Sequence, residues 1–73
     1  MKVGHVFKID EIEYCICDII NVNDKIYAYA ISGEGESTSF TFFELKYDDE
    51  GVLIDEVIDA NVKAELLMLF SKN

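Results

Sequence analysis

Five apolar segments separated by very short polar clusters constrain the fold of this chain more than any other feature. The segments are rich in the β-branched and aromatic residues that favour strands, and they are residues 3–9, 12–22, 25–32, 38–46 and 52–57. Clusters such as Asp10-Glu11 and Asn23-Asp24 are typical of turns. Because strands joined by so few residues must be antiparallel neighbours, the sequence predicts a four- to five-stranded meander.

The last segment of the chain has a different periodicity. Apolar side chains recur there at helical spacing, and they are Val62, Leu66, Leu69 and Phe70. Asp59 precedes them at a position suited to an N-cap. The sequence therefore predicts a C-terminal helix over about residues 60–71, packed on one face of the sheet. With 73 residues, the chain is predicted to be a single α+β domain over residues 1–73.

Strand registers predict which side chains share a face of the sheet. A two-residue turn at Asn23-Asp24 gives one face small residues, namely Cys15, Cys17, Ile19, Ile26, Ala28 and Ala30. The other face receives larger ones, namely Tyr14, Ile16, Asp18, Ile20, Tyr27, Tyr29 and Ile31. A five-residue loop at residues 33–37 would set Phe40 opposite Ala30 and Phe42 opposite Ala28. We expect the helix to pack on the small-residue face.

The aromatic face then needs a cover of its own, because one helix cannot cover both sides of a sheet. One interpretation is that the sheet curls into a half-barrel whose aromatic side chains pack on each other. The other is that this face binds a protein partner or a second copy of the chain, since large exposed apolar patches mark interfaces. Tyr27 and Tyr29 are the candidate partner-binding residues on this face.

The charge of the chain restricts its partners. It carries 15 acidic residues against 6 basic ones, a formal net charge of −9. All the basic residues are lysines, so no guanidinium is available for phosphates or base edges. We therefore expect no direct binding to nucleic acid, whereas a basic protein surface would be attracted.

Acidic residues are concentrated between residues 44 and 59. Candidate partner-binding side chains in this stretch are Asp48, Asp49, Glu50, Asp55 and Glu56. Carboxylates in such number can bind a divalent cation weakly, imitate a row of phosphates, or keep a small protein in solution. Solubility is the default interpretation, although these acids are not dispersed among lysines.

Catalytic and metal-binding patterns are weak in this sequence. Cys15 and Cys17 would lie on one strand face about 6.5 to 7 Å apart, too far for a disulfide with each other. We expect them to be reduced thiols in the core. His5 has no nucleophile within predicted reach. The sequence predicts no catalytic residue, cofactor or metal ligand, and hence no enzyme.

No apolar run approaches the length of a membrane span, and the N-terminus lacks the apolar stretch of a signal peptide. We therefore expect a cytoplasmic protein with no membrane association.

Several short motifs follow one another in a characteristic order, namely Glu13-Tyr14, Tyr27, Tyr29, Phe42-Phe43-Glu44-Leu45, Ile54-Asp55-Glu56-Val57 and Leu69-Phe70. This order resembles a family of small acidic bacterial proteins of unknown function. It covers residues 11–70. The resemblance implies a strand meander with a terminal helix, and it implies no assigned activity, cofactor or catalytic residue.

Two functional hypotheses follow. The first is a non-catalytic module that binds a protein partner through the aromatic sheet face or the acidic edge. The alternative is a nucleic-acid-mimicking inhibitor of the phage anti-defence type, which would occupy a basic groove of a DNA- or RNA-binding enzyme. Composition alone does not separate them.

Overall fold

The computed structural model describes residues 2–34 and 37–72, which form five strands followed by one helix. The elements are β1 (Val6–Ile9), β2 (Ile12–Val22), β3 (Lys25–Glu34), β4 (Ser37–Asp48), β5 (Gly51–Glu56) and α1 (Ala60–Ser71). The strands pair antiparallel in chain order, and the sheet curls into a half-barrel. The α+β meander predicted from the sequence is confirmed.

Two tight turns connect the first three strands. Asp10-Glu11 has φ angles of 50° and 68°, and Asn23-Asp24 has φ angles of 50° and 65°. Positive φ at both central residues is what a type I′ hairpin requires, and Asn and Asp enter this region at lower cost than most residues. The first turn sets Lys8 opposite Glu13.

The first strand is shorter than predicted. It begins at Val6 and not at residue 3. Gly4 has a φ of 91°, and the backbone N–H of His5 donates to the carbonyl of Lys2 at 3.0 Å. The chain turns there, and an extended strand cannot pass through that turn.

The pairing of β3 with β4 corrects the predicted register. Residues 33–37 do not form a five-residue loop, because the strands continue until only residues 35–36 separate them, and these two lie outside the described residues. Ala28 therefore faces Phe43, where Phe42 was predicted. A one-residue change of register moves every side chain of a strand to the other face.

A β-bulge in β2 corrects a second prediction. The register shifts between Ile16 and Asp18, so Cys17 has no residue opposite it on β3. On the N-terminal side of the bulge, Tyr14 and Ile16 lie on the same face as Ala28. The prediction that they share a face with the β3 tyrosines is wrong, because the extra residue inverts the alternation.

One face of the sheet encloses a core that we call the inner cluster. Its buried members are Tyr14, Ile16, Ala28, Ala30, Phe43 and Leu45. Phe7 stacks on Tyr14 with ring centroids 5.5 Å apart, and each of these rings makes a T-shaped contact with Phe43. Large rings over small alanines let the curled sheet fill this face by itself.

The helix packs on the opposite face, where it forms what we call the helix cluster. The buried members of this cluster are Tyr27, Phe42, Val57 and Leu66. The prediction that the helix packs on the small-residue face is therefore wrong. The alanine face is already filled by rings from β1, β2 and β4, whereas the tyrosines of β3 needed an apolar cover.

The helix itself follows the sequence closely. Asp59 caps it, since its Oδ1 accepts hydrogen bonds from the backbone N–H groups of Asn61 (2.8 Å) and Val62 (3.1 Å). Leu66 is 2% exposed, and the other predicted core positions of the helix are half-buried. The apolar side chains that the sequence predicts to face the sheet are thus the ones that pack on it.

Candidate functional site

The helix covers only part of its face of the sheet. Near its C-terminal end, the Phe70 ring lies 5.7 Å from Tyr29 and 5.6 Å from Phe42, between ring centroids. The strands continue beyond these contacts. An area on the helix side of the sheet is therefore left without a helix above it.

An apolar row crosses four strands in this uncovered area. Val6 lies opposite Cys15, Cys15 opposite Ile31, and Ile31 opposite Phe40. Facing residues share a face, and Ile31 shares the face of Tyr29, two residues before it on the same strand. Val6 is 50% and Phe40 is 54% exposed, while the two middle members are half-buried. We call these four residues the apolar row.

A groove lies between the apolar row and the end of the helix. It has a volume of about 410 Å³, and we call it the aromatic groove. It is lined by Cys17, Asp18, Tyr29, Phe40, Phe42, Leu67, Phe70 and Ser71. Phe40, which ends the apolar row, is also part of the groove wall. The two features form one continuous surface, which we call the helix-side surface.

The charge in the aromatic groove comes from Asp18, which follows the bulge in β2 and lies opposite Tyr29. Asp18 lines the groove, and its Oδ1 accepts a hydrogen bond from the backbone N–H of Ile19 at 2.9 Å. Among the described residues, no lysine lines the groove. The groove therefore combines aromatic rings with one carboxylate.

Both cysteines belong to this surface and not to the buried core. They are free and half-buried, which corrects the prediction that they are core thiols. Cys17 lines the groove because the bulge places it on the helix side. Burial raises the pKa of the Cys17 thiol, and the nearby Cys15 and Asp18 raise it further, whereas a backbone hydrogen bond with Ile31 opposes the shift. Cys17 is thus protonated at neutral pH.

The acidic candidates lie on the hairpin of β4 and β5. Asp48, Asp49 and Glu50 are exposed at its turn, where Asp48 Oδ1 accepts from the backbone N–H of Glu50 at 2.8 Å. Asp55 and Glu56 are exposed farther along β5 and, as consecutive strand residues, point to opposite faces. The acids are therefore not one continuous row.

Lysine offsets part of this charge. Lys46 Nζ lies 3.3 Å from Asp55 Oδ2, and both side chains are about half exposed. A surface ion pair of this kind contributes roughly 0 to 1 kcal/mol to stability. The turn acids carry no such contact with a lysine among the described residues.

The two candidate tyrosines have different surroundings. Tyr27 is 9% exposed beneath the helix, whereas Tyr29 is half-buried in the wall of the aromatic groove. The sequence predicts that Asp18 shares a face with Tyr29, and the structure confirms it, since the two residues lie opposite each other. Sequence reasoning missed Phe40 and Phe70 as neighbours of Tyr29, because the β3–β4 register and the face on which the helix packs decide those contacts. The role of these residues in partner binding stays a prediction.

Residues 2–34 and 37–72 contain no group of three histidine, cysteine, aspartate or glutamate side chains that could hold a metal ion. None of the helical structure in this part of the chain has the length and apolarity that a transmembrane helix needs.

Comparisons with protein-family models, with curated proteins and with solved structures find no match to this chain. The resemblance to the small acidic bacterial family therefore stays an expectation.

Proposed function

We propose that this protein is a non-catalytic interaction module that binds a protein partner through the helix-side surface. The observation that carries this proposal is the apolar row, in which Val6 and Phe40 are at least half exposed on a face that the helix leaves open. Contiguous exposed apolar surface is typical of interfaces, and aromatic residues supply much of their binding energy.

The net charge of −9 supports a partner with a basic surface. Long-range attraction would speed association, while the apolar and aromatic contacts would hold the complex. A cytoplasmic location belongs to the same proposal, because two unpaired thiols suit a reducing compartment. A second copy of the chain is the other partner to test, by measuring the oligomeric state in solution.

The nucleic-acid mimic remains a second candidate. The observation that favours it is the exposed turn at Asp48, Asp49 and Glu50. In that function the hairpin acids would enter a basic groove of a DNA- or RNA-binding enzyme, and the apolar row would have no role in binding.

Affinity capture from a lysate of the source cells, at low and high salt, separates these candidates. We would compare the wild type with Phe40→Ser and with a triple variant in which Asp48, Asp49 and Glu50 become Asn, Asn and Gln. Loss of a partner with Phe40→Ser alone supports the proposed module. A partner that is lost with the triple variant and at high salt, but is retained with Phe40→Ser, supports the mimic.

A further inference from the structure

We propose that the aromatic groove holds an arginine side chain contributed by the partner protein. This inference rests on the proposed function and adds the chemistry of its central contact. A guanidinium group is planar and positively charged, so it can stack on aromatic rings and donate hydrogen bonds to a carboxylate.

The rings of the groove provide the stacking surface. Tyr29 and Phe40 have ring centroids 5.5 Å apart, and Phe40 and Phe42 have centroids 5.9 Å apart. Phe40 is 54% exposed, so an incoming side chain can reach it. A cation within about 6 Å of a ring centroid is attracted by the ring, most strongly where water is excluded.

Asp18 determines the chemistry of the occupant. The backbone N–H of Ile19 fixes one of its oxygens in the bulge, and the side chain is already half-buried. An apolar side chain filling the groove would bury this carboxylate without a counter-charge, which is unfavourable. A cationic side chain supplies the counter-charge and keeps the contact with the rings.

Other occupants fit the charges less well. Two copies of this chain would each bring a net charge of −9, and a symmetric contact would place both Asp18 carboxylates in one interface. Nucleic acids and anionic lipids are repelled for the same reason. A volume of about 410 Å³ is sufficient for one long side chain.

The probe is a glycine pentapeptide with one central arginine, titrated into the ¹⁵N-labelled protein and followed by NMR. The matched control peptide carries citrulline, which has nearly the same shape without the charge. We expect amide shifts centred on residues 17–18, Tyr29 and Phe40. We expect binding of the citrulline peptide to be weaker by about tenfold.

Two variants test the named contacts, and a third serves as the control. Asp18→Asn keeps an acceptor for the Ile19 N–H and removes the charge, and Phe40→Leu keeps an apolar side chain and removes the ring. Each should weaken arginine binding by about fivefold or more. Tyr47→Leu is the control, since Tyr47 is 50% exposed and alternates to the inner face of β4. It should leave binding unchanged.

Equal binding of the two peptides would overturn the inference, as would shifts confined to the acidic turn or no shifts up to the solubility limit of the peptide. Failure of the arginine inference is distinguishable from failure of the proposed function. If partner capture depends on Phe40 while the arginine peptide fails to bind, the proposed interaction module stands and the inference of an arginine in the groove is overturned.

Discussion

Ala28 lies directly opposite Phe43 in the β3–β4 pair, and the two side chains are 0% and 1% exposed. This pairing determines which side chains of β3 and β4 lie on each face of the sheet. It places Phe43 in the inner cluster, so Phe42 on the same strand must face the helix. The aromatic groove exists because Phe42 and Phe40 share that side.

Enlarging Ala28 should therefore destabilise the protein. Ala28→Leu inserts three carbon atoms against the Phe43 ring in a filled core, and overpacking of this kind costs about 1 to 3 kcal/mol. Chemical denaturation should give a lower free energy of unfolding. The matched control is Ala64→Leu on the exposed side of the helix, which should change stability by less than about 0.5 kcal/mol. Equal stability of both variants would contradict the register.

Burying a charge beneath the helix should unfold the domain. In Leu66→Asp the carboxylate would lie in the helix cluster, where Leu66 is 2% exposed, and a small domain has only several kcal/mol of stability. Leu67→Asp is the neighbouring control, because Leu67 is 52% exposed. A thermal melt of Leu66→Asp that matches the wild type would mean that the helix is not docked.

The N-cap offers a milder test of the same helix. Asp59→Ala removes the acceptor for two backbone N–H groups and should cost about 1 kcal/mol. Asp59→Asn retains a capping oxygen and should recover most of that loss. Differential scanning calorimetry of the two variants measures the difference, and identical melting temperatures would argue against the cap.

Much of this fold can be predicted because it depends on local signals. Asp10-Glu11 and Asn23-Asp24 define two-residue turns by their position and chemistry, and Asp59 with the spacing of Leu66 and Phe70 defines the helix. These features involve residues close together in the chain, which makes them readable from the sequence.

The arrangement of faces was not predictable in the same way. The bulge at Cys17 has no local sequence signature. The glycines near residue 35 favoured a five-residue loop over residues 33–37, whereas β3 continues to Glu34 and β4 begins at Ser37. Each feature shifts a register by one residue, and the side-chain pattern inverts at each shift. The sequence therefore indicated an aromatic face with Asp18 on it, but not which phenylalanines lie beside Tyr29, nor the face on which the helix packs.

The raised pKa of Cys17 leads to a prediction about reactivity and stability. With less thiolate at neutral pH, Cys17 in a Cys15→Ser variant should react with iodoacetamide more slowly than an unstructured cysteine peptide. The folded state holds this proton more tightly than the unfolded state. Its contribution to stability is therefore complete below the unfolded pKa and is lost as the pH rises through the folded pKa.

Mass spectrometry of the alkylated protein over a pH series measures this shift. The Cys17→Ser variant, which retains Cys15, gives the rate of the other thiol for comparison. A Cys17 rate at neutral pH equal to or above that of the peptide would contradict the raised pKa.

Site-specific photocrosslinking tests the central claim, binding through the helix-side surface, most directly. A benzoylphenylalanine placed at position 40 samples the end of the apolar row, and the same residue at position 49 samples the exposed acidic turn. The tagged variants would be irradiated in a lysate of the source cells, and the adducts identified by mass spectrometry. The proposed function predicts one dominant protein adduct from position 40 and none of that protein from position 49. An adduct from position 49 without one from position 40 would contradict it.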